Sequence, residues 1–245
     1  MVAKLPSTNG AASAASPPSS ACVVYSWPLA WKIACLSMRP NWLMAPSTGQ
    51  TRSALAIGRI DKHSIFQAKG HAYTTQALLG GDASLAEPFL DGSFATIYLS
   101  PKDYHRIHMP CDGRLTRMIH VPGDLFSVNP VTAAGVPGLW ARNERVVCMF
   151  EGARGPWSLV LVGATIVGSM QTVWHGVVNA KRPGKIREWR YDDQDIVLKK
   201  GEEMGRFLLG STVIMTFPKA DLAFNPTWEP AKGVRLGEEM ANYGR

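Results

Sequence analysis

The sequence lacks a long uninterrupted apolar run. Its longest apolar stretch, "CVVYSWPLAWKIACLSM" at 22–38, is interrupted by Pro28 and Lys32 and falls short of the roughly 20 apolar residues that a membrane-spanning helix needs. A Ser/Ala/Pro tract precedes it instead of the basic segment that opens a signal peptide. The sequence therefore predicts neither a transmembrane helix nor a signal peptide.

Cysteine is scarce and scattered. The four cysteines, at positions 22, 35, 111 and 148, match no zinc-ligand spacing. They are also too few and too dispersed to form a disulfide scaffold in a chain of 245 residues. We expect free thiols in a reducing compartment.

Blocks of consecutive basic residues are absent as well. The formal net charge is nevertheless +7, with the lysines and arginines spread along the chain. Such a balance suits an anionic partner, either nucleic acid or an acidic membrane surface. Because no nucleic-acid type of basic cluster is present, the sequence favours membrane lipid and predicts no nucleic-acid partner.

What the chain does contain is strand-like sequence. Hydrophobic residues make up 46% and charged residues 18%, which fits a globular protein with a substantial core. "SFATIYLS" (93–100) and "GRLTRMIHV" (113–121) alternate, whereas "RVVCMFE" and 158–174 are β-branched runs that predict strands buried on both faces. The predicted fold class is α+β, with a β-dominated core of antiparallel or mixed sheets and a few short helices.

Two segments depart from this strand pattern. Residues 1–21 are of low complexity and predict disorder, and we assign residues 1–50 to an atypical N-terminal arm and residues 51–245 to one catalytic domain. The segment 74–92 predicts two short helical turns. Their inward-facing residues are predicted to be Ala77, Leu78, Leu79, Leu85 and Phe89.

The segment "YLSPKDYHRIHMPCDG" (98–113) concentrates side chains capable of chemistry. His105 and His108 lie three positions apart in a loop bounded by Pro101 and Pro110. A metal site would need a third ligand, and no HxxxH motif or cysteine pair supplies one, so no metal is predicted. Structural histidines and general acid–base catalysis both remain open on spacing alone.

The run "GRFLLGSTVIMTF" (205–217) predicts a buried strand, but Gly210, Ser211 and Thr212 interrupt it. A hydrolase serine would lie in a Gly-x-Ser-x-Gly elbow, which is absent here and makes a hydrolase using Ser211 with His108 the weaker alternative. The Ser211 hydroxyl could instead attack the Gly210 carbonyl. The resulting ester, after β-elimination, leaves a pyruvoyl group at a new N-terminus.

The chain resembles the bacterial pyruvoyl-dependent phosphatidylserine decarboxylases. The resemblance rests on "FQAKGHAY", "YLSPKDYHRIHMPCDG", "VPGDLFSVN", "ARNERVVCMF", "LVGATIVGSMQTVW" and "KKGEEMGRFLLGSTVIMTF", which follow one another from about residue 57 to 217. It implies cleavage between Gly210 and Ser211, giving a β chain that ends at Gly210 and an α chain that begins with a pyruvoyl group derived from Ser211. It further implies decarboxylation of phosphatidylserine to phosphatidylethanolamine and CO2, with the pyruvoyl group as electron sink.

The same resemblance implies roles for individual residues. His108 is the base that activates Ser211, and His105 is tied to decarboxylation. Tyr98 and Ser127 match substrate-pocket positions. The remaining histidines carry no implied catalytic role, and we expect surface or structural positions for His63, His120 and His175, with no assignment for His71.

One departure from the family pattern concerns the Asp of its Asp/His/Ser triad. Thr48, in "PSTG", occupies that position, and no carboxylate occurs between Lys4 and Asp61. In serine proteases the loss of this carboxylate costs about 10⁴ in rate, so we predict slow self-cleavage. Because residues 1–50 differ from the family, we also hypothesise a frame-shifted or rearranged start. An uncleaved homologue that at most binds anionic lipid is the alternative function.

The resemblance also implies partners and a location. The substrate would be phosphatidylserine in an anionic membrane, and the α and β chains of one precursor would stay associated. A homodimer is a further possible arrangement. We expect a peripheral protein on the cytoplasmic face of the inner membrane, with the tryptophan-bearing segment 22–43 as its candidate anchor.

Overall fold

A computed structural model describes residues 41–43, 51–165, 169–180, 184–208, 212–230 and 232–244, with side chains described from residue 54 onward. Most of the predicted arm at 1–50, including Thr48, lies outside these residues. So do both residues of the predicted cleavage bond, Gly210 and Ser211. The division into an arm and a catalytic domain accordingly stays a prediction.

Short strands are the commonest regular structure in the described chain. They are β1 Asn41–Leu43, β2 Thr51–Arg59, β3 Ser64–Ala68, β4 His71–Thr74, β5 Ser93–Tyr98, β6 Arg106–His108, β7 Gly113–Val121, β8 Arg145–Gly152, β9 Gly155–Val162, β10 Met170–Thr172, β11 Gly176–Val177, β12 Arg187–Arg190, β13 Val197–Leu198, β14 Glu203–Phe207, β15 Thr212–Phe217, β16 Leu222–Phe224, β17 Gly233–Arg235 and β18 Glu239–Tyr243. The helices are α1 Thr75–Leu78, α2 Ala83–Ala86, α3 Pro130–Gly135 and α4 Leu139–Arg142, with a 3-10 turn at Glu87–Phe89.

The largest sheet has nine strands. Eight follow the order β12-β7-β8-β9-β15-β5-β2-β17, and β13 pairs with β7 beside that path. A second sheet has the order β11-β10-β14-β6, a third the order β1-β18-β16, and β3 pairs with β4. Paired strands throughout the described chain run antiparallel. The predicted α+β class with a β-dominated, antiparallel core is confirmed.

The centre of the nine-stranded sheet forms the core. Every residue of β15 is buried, as are the first six residues of β8 and the last six of β9. Burial on both faces is therefore confirmed for "RVVCMF" and for the β9 part of 158–174. It is wrong for the end of that run, where Val173 is exposed. The alternation predicted for β5 is wrong, because five of its six residues are buried. Both faces of β5 are covered, so the solvent-facing side that alternation requires is missing.

The predicted helical turns are present and are capped by side chains. The Thr74 hydroxyl oxygen accepts from the Ala77 amide at 3.0 Å at the start of α1, and Asp82 accepts from the Ser84 amide at 2.9 Å at the start of α2. Buried positions within this segment include the predicted Leu78, Leu79, Leu85 and Phe89. The prediction is wrong for Ala77, which is exposed because α1 has only four residues and turns one side to the core.

Apolar runs that read as single strands are divided between sheets. The run 158–174 contributes β9 to the large sheet and β10 to the four-stranded sheet, and 205–217 contributes β14 and β15 in the same way. The tail beyond Phe217 is likewise divided, since β17 joins the nine-stranded sheet whereas β16 and β18 join the three-stranded one. No helix among the described residues is both long and apolar enough to cross a bilayer.

Candidate active site around His108

The interruption in "GRFLLGSTVIMTF" falls where the chain passes from one sheet to another. β14 ends at Phe207 in the four-stranded sheet, and β15 begins at Thr212 near the middle of the nine-stranded sheet. Gly210 and Ser211 belong to this short connection, outside the described residues. The elements on either side of the connection define the candidate site.

Thr212 marks the β15 side of the connection. Its Cα pairs with that of Tyr98 at the end of β5 and with that of Val162 at the end of β9. The Thr212 side chain is fully buried, and its hydroxyl has no hydrogen-bond partner among the described residues. Three strand ends thus meet beside residue 211.

Tyr98 lies directly opposite Thr212 and is half-buried. Burial, reinforced by the nearby charge of Asp103, raises the pKa of its hydroxyl above the ordinary value. The phenol is therefore protonated at neutral pH and can donate a hydrogen bond. The register brings this predicted pocket residue next to the residue that follows Ser211.

His105 lies in the loop between β5 and β6, and its backbone carbonyl accepts from the Phe207 amide at 3.0 Å. Its Nε2 lies 3.0 Å from the Pro101 carbonyl. Since a carbonyl oxygen can only accept, this bond requires a proton on Nε2 and leaves Nδ1 as an acceptor in the neutral ring. Nδ1 is buried and has no hydrogen-bond partner among the described residues.

His108, at the end of β6, has partners for both ring nitrogens. Nδ1 lies 2.8 Å from the Gly201 carbonyl oxygen, and Nε2 lies 3.0 Å from the Tyr104 hydroxyl. The Tyr104 ring stacks on the imidazole, with ring centroids 5.7 Å apart and an interplanar angle of 16°. The bond to Gly201 requires a proton on Nδ1, so in the neutral ring Nε2 carries the lone pair.

An ion pair holds β6 against β14. Glu203 lies opposite His108 in the strand register. Its carboxylate is 2.5 Å from the Arg106 guanidinium and 3.0 Å from that of Arg206. The Arg106 contact ties the strand that carries His108 to the strand that leads into the cleavage segment, whereas the Arg206 contact lies within β14.

Ser127 lies in a separate loop between β7 and α3 and is exposed. Its hydroxyl oxygen accepts a local hydrogen bond from the side-chain Nδ2 of Asn129 at 3.1 Å. Buried Asn143 ties this loop to the site. Its side chain accepts from the Phe126 amide at 3.1 Å and donates to the Gly163 carbonyl at 2.8 Å. Gly163 directly follows Val162, the register partner of Thr212. The Ser127 loop therefore lies at the same end of these central strands as Thr212.

His120 belongs to a buried polar network behind this edge. Its Nε2 lies 2.9 Å from the Glu144 carboxylate, whose other oxygen accepts from Asn179 at 3.2 Å. An Arg187 nitrogen lies 3.5 Å from His120 Nδ1. Of the two positions expected for His120, the structure shows the structural one, because the residue is fully buried.

The remaining histidines lie elsewhere. His63 contacts the Thr75 hydroxyl at 3.2 Å, and His175 packs edge-on against Trp189 at 4.7 Å between ring centroids. No group of three or more His, Cys, Asp or Glu side chains in the described part of the chain is arranged to hold a metal ion.

Sequence reasoning missed three contributors to this arrangement: Tyr104, Gly201 and Asn143. Tyr104 and Asn143 stand within the motifs "YHRIHMP" and "ARNERV", so a signal was present for both. Gly201 reaches His108 across 93 positions of sequence. Only pairing between distant segments brings it there.

Comparison with known proteins shows the family. The family model described as phosphatidylserine decarboxylase matches residues 37–242. The chain belongs to this family. It is 76% identical over 186 residues to the phosphatidylserine decarboxylase proenzyme of Variovorax paradoxus (strain S110), and 71% identical over 185 residues to that of Dechloromonas aromatica (strain RCB). It is 73% identical over 184 residues to the proenzyme of Herminiimonas arsenicoxydans.

The alignments cover about three quarters of this chain, at 76%, 76% and 75%. They cover 66%, 66% and 63% of these relatives' own lengths. The chain thus spans just under two thirds of the curated relatives that it matches.

Proposed function

We propose that this chain cleaves its own Gly210–Ser211 bond and then decarboxylates phosphatidylserine to phosphatidylethanolamine and CO2. Membership of the family supports this, as do relatives whose names describe them as proenzymes. The observation that carries the proposal is the 2.8 Å contact between His108 Nδ1 and the Gly201 carbonyl. It leaves the lone pair of the neutral ring on Nε2, where it can take a proton from a serine hydroxyl once the Tyr104 hydroxyl, 3.0 Å away, turns aside.

Self-cleavage would proceed in balanced steps. His108 accepts the hydroxyl proton as the Ser211 oxygen attacks the Gly210 carbonyl carbon, and the amide C–N bond gives way to an ester while the nitrogen takes up a proton. Elimination then transfers the Ser211 Cα proton to a base, forms a Cα=Cβ double bond and breaks the Cβ–O bond, leaving a carboxylate on Gly210. Hydrolysis of the resulting enamine end releases ammonia and leaves a pyruvoyl group.

The described surroundings fit such a group. Thr212 Oγ1 and His105 Nδ1 are both buried polar atoms that lack a partner among the described residues, and a buried polar atom is costly unless it is paired. Together with the protonated Tyr98 hydroxyl, these side chains would hold the group and the substrate head group. When formed, the pyruvoyl group supplies an electron sink for loss of the carboxylate.

The roles proposed for the substrate site follow from these positions. His105, with an acceptor at Nδ1, and Tyr98, with a donor hydroxyl, would orient the amino-acid head group and move the proton that replaces CO2. Ser127 lies on an exposed loop at the same sheet edge, where it would meet a polar head group. We further propose a peripheral location on the cytoplasmic face of the inner membrane, which the net charge of +7 supports; a homodimer stays a prediction.

The two products of cleavage would remain one folded unit. β15 begins one residue after the proposed new end and pairs with β5 on one side and β9 on the other. Removing the α chain would therefore expose the centre of the nine-stranded sheet, with six buried residues of β15. We expect the two chains to stay associated without a covalent link.

The direct test is mass spectrometry of the purified full-length chain. We expect two fragments, divided after Gly210, which co-elute in native gel filtration. The α fragment should be lighter than its unmodified sequence by about 17 Da, the mass of the ammonia released. Ser211→Ala is the matched control and should stay a single chain. A wild-type chain that stays intact would contradict the proposal and favour the uncleaved lipid-binding alternative.

A further inference from the structure

The Gly201 carbonyl that contacts His108 is held in a tightly bonded turn. The Gly201 amide donates to the Met109 carbonyl at 2.9 Å, and the Met109 amide donates to the Glu202 carbonyl at 2.9 Å. The Lys199 amide donates to the Glu202 carboxylate at 2.8 Å, and the Lys200 amide donates to Asp112 at 2.8 Å. The acceptor that faces His108 therefore has a fixed position and direction.

The conformation of Gly201 explains why glycine stands there. Its φ is +85°, in the left-handed region that favours glycine. A Cβ added at this position would meet no heavy atom within 4 Å. Any effect of an alanine here would thus come through the backbone angle, and with it the direction of the carbonyl, rather than through a steric clash.

Tyr104 constrains the other side of the imidazole. Because Nδ1 carries the proton, the neutral Nε2 can only accept, so the Tyr104 hydroxyl is the donor in their 3.0 Å bond. The stacked rings, 5.7 Å apart, limit rotation of the imidazole about its own axis. Together the two contacts set both the tautomer and the plane of His108.

We propose that the Gly201 carbonyl and the stacked Tyr104 ring position His108 for self-cleavage, with the carbonyl fixing the tautomer as a carboxylate does in a Ser-His-Asp triad. This inference rests on the proposed function. A triad carboxylate fixes the histidine tautomer and stabilises the imidazolium, and its loss costs about 10⁴ in rate chiefly through the wrong tautomer. A carbonyl supplies the first effect without the second. Self-cleavage with Thr48 should accordingly be slowed by less than that factor.

The tautomer can be measured without any reaction. Ser211→Ala precursor, labelled with [15N]histidine, would be studied by long-range 1H–15N correlation NMR at a pH where His108 is neutral, with its signals assigned by their loss in His108→Gln. We expect the Nδ1–H form. Gly201→Ala should shift His108 towards the Nε2–H form, whereas Gly81→Ala, at another glycine of positive φ with open space around it, should not. A native Nε2–H tautomer would overturn the inference.

The second measurement is the rate of self-cleavage across pH. Tyr104→Phe keeps the stacked ring and frees the lone pair on Nε2, so we expect an acid limb displaced to higher pH with no loss of rate above it. Tyr104→Leu, which removes the ring as well, should slow cleavage roughly tenfold. Tyr191→Phe removes a different Tyr–His contact, the 3.5 Å one to His175, and should leave both unchanged. Gly201→Ala should also slow cleavage roughly tenfold.

These outcomes separate the inference from the proposed function. A wild-type chain that never cleaves would refute the proposed function, while the NMR experiment would still decide the positioning of His108. A wild-type chain that cleaves, together with unchanged rates in Tyr104→Leu and Gly201→Ala, would refute the inference alone.

Discussion

Two histidines three positions apart have different chemistry because the strand begins between them. His105 precedes β6, and its Nδ1 is buried without a partner among the described residues. His108 ends β6 and has hydrogen-bonding contacts at both nitrogens. The imidazole of His108, contacted at both nitrogens, suits a base that acts on a serine of the same chain. Nδ1 of His105, an acceptor without a partner among the described residues, suits contact with a bound substrate.

This difference predicts separable effects at the residue scale. His108→Asn should slow self-cleavage by about 10³, within the range of general base catalysis. His105→Asn should leave self-cleavage intact and lower the turnover of phosphatidylserine by about 10²–10³. Cleavage is followed on denaturing gels, and turnover as CO2 released from carboxyl-labelled phosphatidylserine in vesicles.

The control for these variants is His63→Asn, because His63 contacts Thr75 and lies outside the candidate site. It should leave both rates unchanged. If His105→Asn blocked self-cleavage as severely as His108→Asn, the division of roles between the two histidines would be wrong.

At the scale of elements, the site depends on strand ends held in register by buried polar side chains. Glu144 precedes β8, and its backbone carbonyl accepts from the Gly163 amide at 2.8 Å, just beyond the end of β9. Its carboxylate binds His120 on β7 and Asn179 after β11. One residue thus joins three elements behind the edge where Thr212 begins β15.

Loss of this carboxylate should destabilise the fold. Glu144→Leu would leave the buried Nε2–H of His120 and an N–H of Asn179 without their acceptor, and each buried donor left unpaired costs about 1–3 kcal/mol. Urea unfolding of the Ser211→Ala precursor measures the change. Glu188→Leu is the matched control, since that carboxylate is part of a more exposed pair with Arg117 and Arg190 and should cost less than about 1 kcal/mol. If the two variants lost equal free energy of unfolding, the buried network would contribute no more to stability than the exposed ion pairs.

At the scale of the whole molecule, the proposed cleavage falls just before a central strand. The break would lie at the junction of two sheets, where no ladder bond is lost within the nine-stranded sheet, and the hydrogen bonds of β15 would hold the α chain in place. A chain can therefore be cut there without losing its core. A segment that began with an edge strand would be held less tightly after cleavage, because fewer contacts would retain it.

The core also makes the free energy of unfolding depend on pH in the alkaline range, through a buried thiol. The Cys148 thiol is free and fully buried in β8, and burial raises its pKa above the ordinary value. Above about pH 8.5 the unfolded chain loses this proton while the native chain keeps it. The free energy of unfolding should therefore be greatest below that pH and fall as pH rises, by up to about 1.4 kcal/mol per pH unit from this thiol.

Comparison with Cys148→Ala in the Ser211→Ala background isolates this contribution. Urea unfolding between pH 8.5 and 10, chosen to span the ordinary thiol range, should show a shallower decline in the variant. The difference in slope should correspond to about one proton. Identical slopes would show that the native thiol ionises with the unfolded one.

The sequence by itself determined the fold class, the family and the chemistry-bearing motifs. Continuous β-branched runs predict strands buried on both faces, and β8, β9 and β15 confirm this. Two further features are local and can be recognised without knowing what packs against them. They are the break in the apolar run at Gly210, Ser211 and Thr212 and the spacing of His105 and His108.

Only the tertiary structure decided which sheet each strand joins and which groups surround the histidines. A strand has the same hydrophobic periodicity in either sheet. The sequence therefore does not show that β14 and β15 belong to different sheets. The acceptor for His108 is a backbone carbonyl, a group that every residue carries. Its place at Gly201 depends on long-range strand pairing, which local sequence does not encode.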